Sequence, residues 1–449
     1  MTNRKKNSLT AAFAVLLALT CATPPAAEAQ NSFNVPFSQF GIGLTELPYN
    51  MPYAYSMGGA VYSRASRNNI NPFNPASYAA VKPESFVFDI GINIQRCKLV
   101  QEGASLSDAD GNVAYLAVAF PLTKWWKTSA GLMPYSTVDY ESVQTSYDAA
   151  AAGNIKTIYA GNGGVSQIYW GNGFNIGQRL SLGFNLNYLY GSITRAITYD
   201  FLENASTYFM NSRRQKDTYI SNLVFDLGAQ YRQPLGEEYT LNMGLTCRLP
   251  RPMTVKDDAK VYTFVTSTSQ ELLCDTIFPL PGDDGIYRSD LEQPLTIGAG
   301  LALERNNRWQ VAVDFSHSPY SGMKYTENTQ YNLFGTSAVQ YHSNTRIALG
   351  GEWMGNADAT SYWSRIGIRA GVYYNQGRLS LEVADGAYRL DEIGGGLGFA
   401  LPMRKGQSVL NLSVGYASFG TAELLRRDCL TIGLSLGSCE HWFAKRKYN

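Results

Sequence analysis

The stretch Leu180-Ser181-Leu182-Gly183-Phe184-Asn185-Leu186-Asn187-Tyr188-Leu189-Tyr190-Gly191 decides the fold class. Leu180, Leu182, Phe184, Leu186, Tyr188 and Tyr190 share one parity, and mostly Ser, Gly and Asn lie between them. In an extended chain the two parities are opposite faces. One face suits lipid and the other a polar interior. The same alternation recurs at 223–231, 295–304, 309–316 and 430–437. Any one such segment fits a soluble sandwich equally well. About fourteen in series point to an all-β chain forming a transmembrane antiparallel β-barrel.

The segments fall near residues 85–100, 111–121, 125–146, 155–175, 178–202, 214–233, 239–265, 285–304, 308–325, 339–354, 362–376, 390–402, 408–420 and 427–437. An even count closes the sheet with both ends on one side. Closure matters because each unpaired backbone group in hydrocarbon costs several kcal/mol. Connections after even-numbered segments are short: 175–178, 305–307 and 404–406. Those after odd-numbered segments tend to be long and polar: 203–216, 256–288, 326–338 and 376–389. Short periplasmic turns and long external loops have this asymmetry. Trp125, Trp126, Trp309, Trp353 and Trp363 stand near segment ends, where an aromatic girdle would lie.

Composition agrees. The 449 residues carry a formal charge of +1, so no global field would attract a polyanion, and nucleic acid is not an expected partner. Gly (42) and Tyr (30) are abundant while charged residues make up 16%, as suits a lipid-facing β surface. Beyond the leader no run of about 18 apolar residues would make a membrane helix. The leader itself is residues 1–29. Arg4, Lys5 and Lys6 precede the apolar Leu9 to Leu19, and Ala27-Glu28-Ala29 gives a cleavage site before Gln30. Lipidation at Cys21 is the rival reading, and Ala18-Leu19-Thr20 matches a lipoprotein box poorly.

Chemistry-bearing clusters are sparse. His317, His342 and His441 have no nucleophile or ligand partner at a recognisable spacing, so neither an enzyme, a metal site nor a cofactor is expected. Gly394-Gly395-Gly396-Leu397-Gly398 lies in an alternating segment, where glycine thins the inner face. Asp257-Asp258 and Asp283-Asp284 read as solvated loop pairs. After cleavage Cys97, Cys247, Cys274, Cys429 and Cys439 remain, scattered and odd in number. They read as isolated thiols, with one bridge left open.

Residues 30–83 break the pattern. Pro36, Pro48, Pro52, Pro72, Pro75 and Pro83 punctuate a stretch rich in Phe, Tyr and Leu. It is too short for its own core and too apolar for a free tail. A plug inside the barrel is one reading and a periplasmic docking arm the other. Within it Met57-Gly58-Gly59-Ala60 precedes Asn74-Pro75-Ala76, and further on stands Gly131-Leu132-Met133-Pro134. This ordered set resembles the long-chain fatty acid transport protein (FadL) family. The resemblance implies a fourteen-stranded barrel (84–438), an N-terminal hatch (30–83) and a periplasmic tail (439–449). It also implies a kink at Gly131 and Pro134 in the third strand, opening a gap in the wall. Proline cannot donate to a ladder, so a bulge there would explain the residue equally well. Trp442 and Phe443 read as the terminal aromatic anchor.

The implied function is passive uptake of hydrophobic small molecules, such as long-chain fatty acids, across the cell outer membrane. Phe40 and Leu47 are the candidate ligand contacts. The expected surroundings are outer-membrane lipid and lipopolysaccharide around a monomeric barrel. The alternative is a barrel of the same kind serving as a structural or protein-secretion-system subunit that binds other envelope proteins.

Overall fold

The computed structural model describes residues 35–45, 51–66, 68–101, 103–148, 153–201, 210–267, 270–277, 286–305, 308–322, 325–326, 339–356, 359–383, 386–403, 407–421 and 423–441. The leader, Leu47, Asp283-Asp284, Trp442 and Phe443 lie outside them. Among the described residues no helix is long and apolar enough to cross a membrane.

Fourteen antiparallel strands close on themselves. They are β1 Ser85–Gln101, β2 Ala104–Pro121, β3 Trp126–Asp148, β4 Gly153–Ile176, β5 Leu180–Phe201 and β6 Asn211–Leu235. Two further strands are each broken once: β7 as Tyr239–Arg248 and Arg251–Ser267, β8 as Ile286–Gln293 and Thr296–Arg305. Then follow β9 Trp309–Ser318, β10 Asn344–Trp353, β11 Gly367–Gln376, β12 Glu392–Met403, β13 Ser408–Thr421 and β14 Leu425–His441. β14 pairs with β1 from Arg426↔Val100 to His441↔Ser85 and shuts the barrel. This strand runs three residues past the expected end at 438.

Parity decides which residues face where. Along β5 and β6, Leu182, Tyr188, Leu223, Phe225 and Leu227 are exposed to the outside, while Asn185, Asn187 and Val224 are buried inside. Along β9, Val311, Val313 and Phe315 face out, and Gln310, Ala312 and Asp314 are buried. The aromatic pair Trp309 and Trp353 sits in register at adjoining strand ends.

The strands differ in height. β9, β10 and β11 have 10 residues each, enough for one crossing. β3, β4, β5 and β6 have 23, 24, 22 and 25. The excess of about 12 residues, at ~3.3 Å each, raises this wall roughly 40 Å along the strand beyond the short side. Above the apolar band of β6 the outward residues turn polar. Arg213 there forks onto Glu271 of the hairpin strand Gln270–Ile277 at 2.6 and 2.9 Å.

This wall corrects two expectations. Residues 256–288 read as a loop, yet most of them are strand, and β2 begins at Ala104 rather than near 111. Above the membrane the outward face meets water instead of lipid, so the polar–apolar alternation that marks a strand in lipid is lost. Asp257 is accordingly no solvated loop residue: it is fully buried and accepts from Thr218 and Ser289. The breaks in β7 and β8 face each other, at Leu249-Pro250 and Pro294-Leu295. Each proline removes a ladder donor there.

Candidate functional site

The N-terminal segment lies within the barrel and meets inward faces from β4 round to β14 and β1. The helix α1, Pro52–Tyr55, leads into Met57-Gly58-Gly59-Ala60. Gly58 and Gly59 have φ of +61° and +72°, a region that disfavours side chains. A Cβ on Gly58 would also lie 2.5 Å from the Val372 carbonyl oxygen of β11. Arg346 of β10 donates to the Gly58 carbonyl at 2.6 Å. Burial pushes the Tyr55 phenol up to about 12.

Buried charges fasten this segment to the wall. Glu352 of β10 holds Arg64 of the segment at 3.0 Å and Arg369 of β11 at 2.7 Å. Arg369 continues to Asn411 of β13 at 2.7 Å. All three charged side chains are at most 7% exposed. One Asp314 oxygen accepts the backbone N–H groups of Val61 and Tyr62 at 2.6 and 2.7 Å. Asp89 of β1 accepts from Ile70 and from Tyr115 of β2 at 3.0 and 2.6 Å.

Asn74-Pro75-Ala76 is built the same way. The Asn74 side-chain oxygen caps the short helix Pro75–Ala80 by accepting from Ala76 at 3.1 Å. Its amide donates back to Tyr62 and across to Ala229 of β6 at 2.6 and 3.3 Å. Tyr78 from the same helix donates to Asn185 of β5 at 2.9 Å. The two motifs thus lie in one docked body, joined through Tyr62.

The third strand departs from its neighbour. β2 and β3 pair only from Pro121↔Lys127 to Leu116↔Leu132. Past Gly131 and Leu132 the two strands part. β3 keeps its pairing with β4, with a register shift between Pro134 and Ser136. Part of the freed β3 edge takes a strand from the N-terminal segment, with Leu44 opposite Thr137 and Thr45 opposite Ser136. Val35 donates to the Asp139 carbonyl at 2.6 Å and prolongs that seam.

Beside the gap lies an apolar cavity of about 430 Å³, its open mouth included. Phe40, Ile42, Tyr135, Met253, Leu291 and Leu379 form its apolar lining, and Arg378 is the one cation among its lining residues. Leu47, the other candidate contact, lies outside the described residues. Inward-facing Val165, Leu189, Ile193, Ile220 and Val224 continue the apolar lining on β4 to β6. Beneath it a polar layer joins Asn187, Asp226 and Arg248, with Asp226 bound to Arg248 at 2.6 Å.

The cysteines also need a correction. Cys97 of β1 and Cys429 of β14 form a disulfide across the barrel closure, while Cys247, Cys274 and Cys439 are free. The pairing brings together positions 332 apart in sequence, which spacing alone does not reveal. The bridge packs against Val35 and Leu44, so the segment that spans the gap touches both the β3 side and the β1–β14 side.

The buried fasteners Arg64, Asp89, Asp314, Glu352 and Arg369 went unmarked in the sequence. For the four on strands the signal is an isolated charge at an inward parity of a membrane strand. Asp314 stands between Val313 and Phe315, and Glu352 directly before Trp353.

A family model described as BamG matches residues 12–449. The chain belongs to the BamG family. No curated protein matches its sequence. Among solved structures it is similar to the Ralstonia pickettii toluene transporter TbuX, with a TM-score of 0.54 at 11% identity, over 86% of this chain and 97% of that one. It is also similar to the CymD monoaromatic hydrocarbon channel, at 0.53 and 14% over 88% and 98%. A Pseudomonas aeruginosa FadL homologue gives 0.51 and 11% over 87% and 98%. At these identities the likeness is one of fold: this BamG-family chain has the architecture of FadL-type outer-membrane barrels.

Proposed function

We propose that the protein is an outer-membrane channel for passive uptake of hydrophobic small molecules. The observation that carries the reading is the apolar cavity beside the place where β2 and β3 stop pairing. A water-filled pore would have a polar lining at this level. Here the lining is mostly aliphatic and aromatic, with Thr45, Glu292, Gln293 and Arg378 as its polar side chains, and ligand affinity would come from burial at about 25 cal/mol per Å². The long-loop side faces outward, and residues 51–81 act as a hatch that closes the lower lumen. A ligand enters from above, rests against Phe40 and Leu379, and leaves sideways once Leu44 and Thr45 release the β3 edge.

Arg378 bears on the choice of ligand. It donates to the Gly43 carbonyl at 2.5 Å and lies over the Tyr320 ring. A guanidinium at the rim of an apolar cavity suits the carboxylate of a fatty acid. Protein in nanodiscs, titrated calorimetrically with palmitate and with toluene, tests the reading. Phe40→Gln should weaken both ligands about tenfold, whereas Arg378→Gln should weaken palmitate alone. Failure to bind either ligand would reject the channel reading.

A further inference from the structure

Above the gap, β3 has a free side. Residues 142–148 pair with β4 from Ser142↔Tyr159 to Asp148↔Gly153. On the other side no strand meets them among the described residues, because β2 has parted from β3 below. Residues 142–147 are exposed on both faces, Val143 at 49% and Tyr147 at 70%. An unpaired strand edge offers its N–H and C=O groups to any extended chain, and proteins guard such edges with charge, proline or bulges. The facing lip is guarded, since β2 carries Asp108 and Asp110. The β3 edge between Glu141 and Asp148 reads Ser142-Val143-Gln144-Thr145-Ser146-Tyr147, six residues without charge or proline. Lower down, the same edge already accepts an antiparallel strand from Leu44–Thr45.

We propose that residues 142–147 bind an extended segment of a separate polypeptide by antiparallel strand addition, on the long-loop side of the membrane. A second copy of this chain is a poor occupant. Two barrels inserted the same way are related by an axis along the membrane normal, and their β3 edges would run parallel. Antiparallel pairing would require one barrel to be inverted. The partner segment should be neutral and rich in β-branched or aromatic residues, matching Val143, Thr145 and Tyr147 across the ladder.

Hydrogen exchange on the full chain tests this in native outer membranes, in detergent after purification, and in nanodiscs containing lipopolysaccharide. Peptides covering 142–147 should exchange at least tenfold more slowly in native membranes than in the other two. Val143→Lys/Thr145→Lys should remove that difference while the barrel keeps its heat-modifiable migration. If the double variant does not fold, p-benzoylphenylalanine in place of Val143 should still crosslink to one peptide segment in those membranes, mapped by mass spectrometry. Equal exchange in all three settings overturns the proposal. So does protection in purified protein, which assigns the edge to the chain's own residues, or protection by lipopolysaccharide alone. Absence of a peptide crosslink, or a crosslink to lipid alone, overturns it as well.

Discussion

The lower half of the lumen is filled and fastened by buried ion pairs, whereas the upper half keeps a cavity. Below, residues 51–81 fill the lumen, packing Met51, Tyr53, Met57 and Tyr78 against the wall and fixed to it by buried charges and amides: Arg64 with Glu352, Asp314 with two backbone N–H groups, Asn74 with β6. Above, the wall from β3 to β8 is lined by Tyr135, Val138, Leu189, Ile220, Met253 and Leu291, and a cavity remains. Polar contacts are directional and costly to break when dry, so they suit a part that must hold its position. Apolar contacts are non-directional, so they suit a surface that must take a guest. The difference separates closure from binding along one axis.

Removing Glu352 should break this contrast most strongly. Glu352→Ala leaves Arg64 and Arg369 buried without their anion, at a cost of about 3–5 kcal/mol. Protease should then cut within 51–81 while the barrel still migrates as folded. Replacing the whole triad, by Arg64→Met/Glu352→Leu/Arg369→Met, should restore most of the protection, because no buried charge is left unpaired. If the single and triple variants are cut equally, the ion network is not what holds the segment.

The disulfide comes next. Cys97→Ser should lower unfolding stability by about 2–4 kcal/mol, read as a shifted denaturant midpoint. It should also loosen Val35 and Leu44, which pack on the bridge, so proteolysis should rise within 35–45 before it rises within 51–81. The reverse order would detach the bridge from the upper seam. Asn74→Ala should have the smallest effect, about 1–3 kcal/mol, for the lost cap and the bonds to Tyr62 and Ala229. It should increase cleavage of 51–81 and leave ligand affinity in the upper cavity unchanged.

Much of this was legible in the sequence, for reasons that also set the limit. Lipid on one side and polar filling on the other force the period of two, so β5, β9 and β14 stand out. Above the membrane that force disappears, and residues 104–110 and 270–277 read as loop although they are ladder. The motifs Met57–Ala60 and Asn74–Ala76 could be located because glycine pairs and Asn-Pro are rare, specific backbone devices. Their partners stand in the sequence only as isolated inward charges, since which residue of the segment Glu352 and Asp314 hold is decided when the barrel closes. Phe40 lines the cavity, but nothing in its local sequence separates it from Phe37, which is buried with Leu379 and Leu390 in the same cluster and is not among the lining residues.

The seam at the gap offers the most direct test. Thr45 and Ser136 are cross-strand partners, so Thr45→Cys/Ser136→Cys can tie the N-terminal segment to β3. Uptake of radiolabelled palmitate and toluene by cells should fall at least tenfold when the tie is oxidised, and return on mild reduction. Each single variant, treated identically, should behave like the parent. Uptake that is unchanged with the tie closed would contradict a route through the wall between β2 and β3.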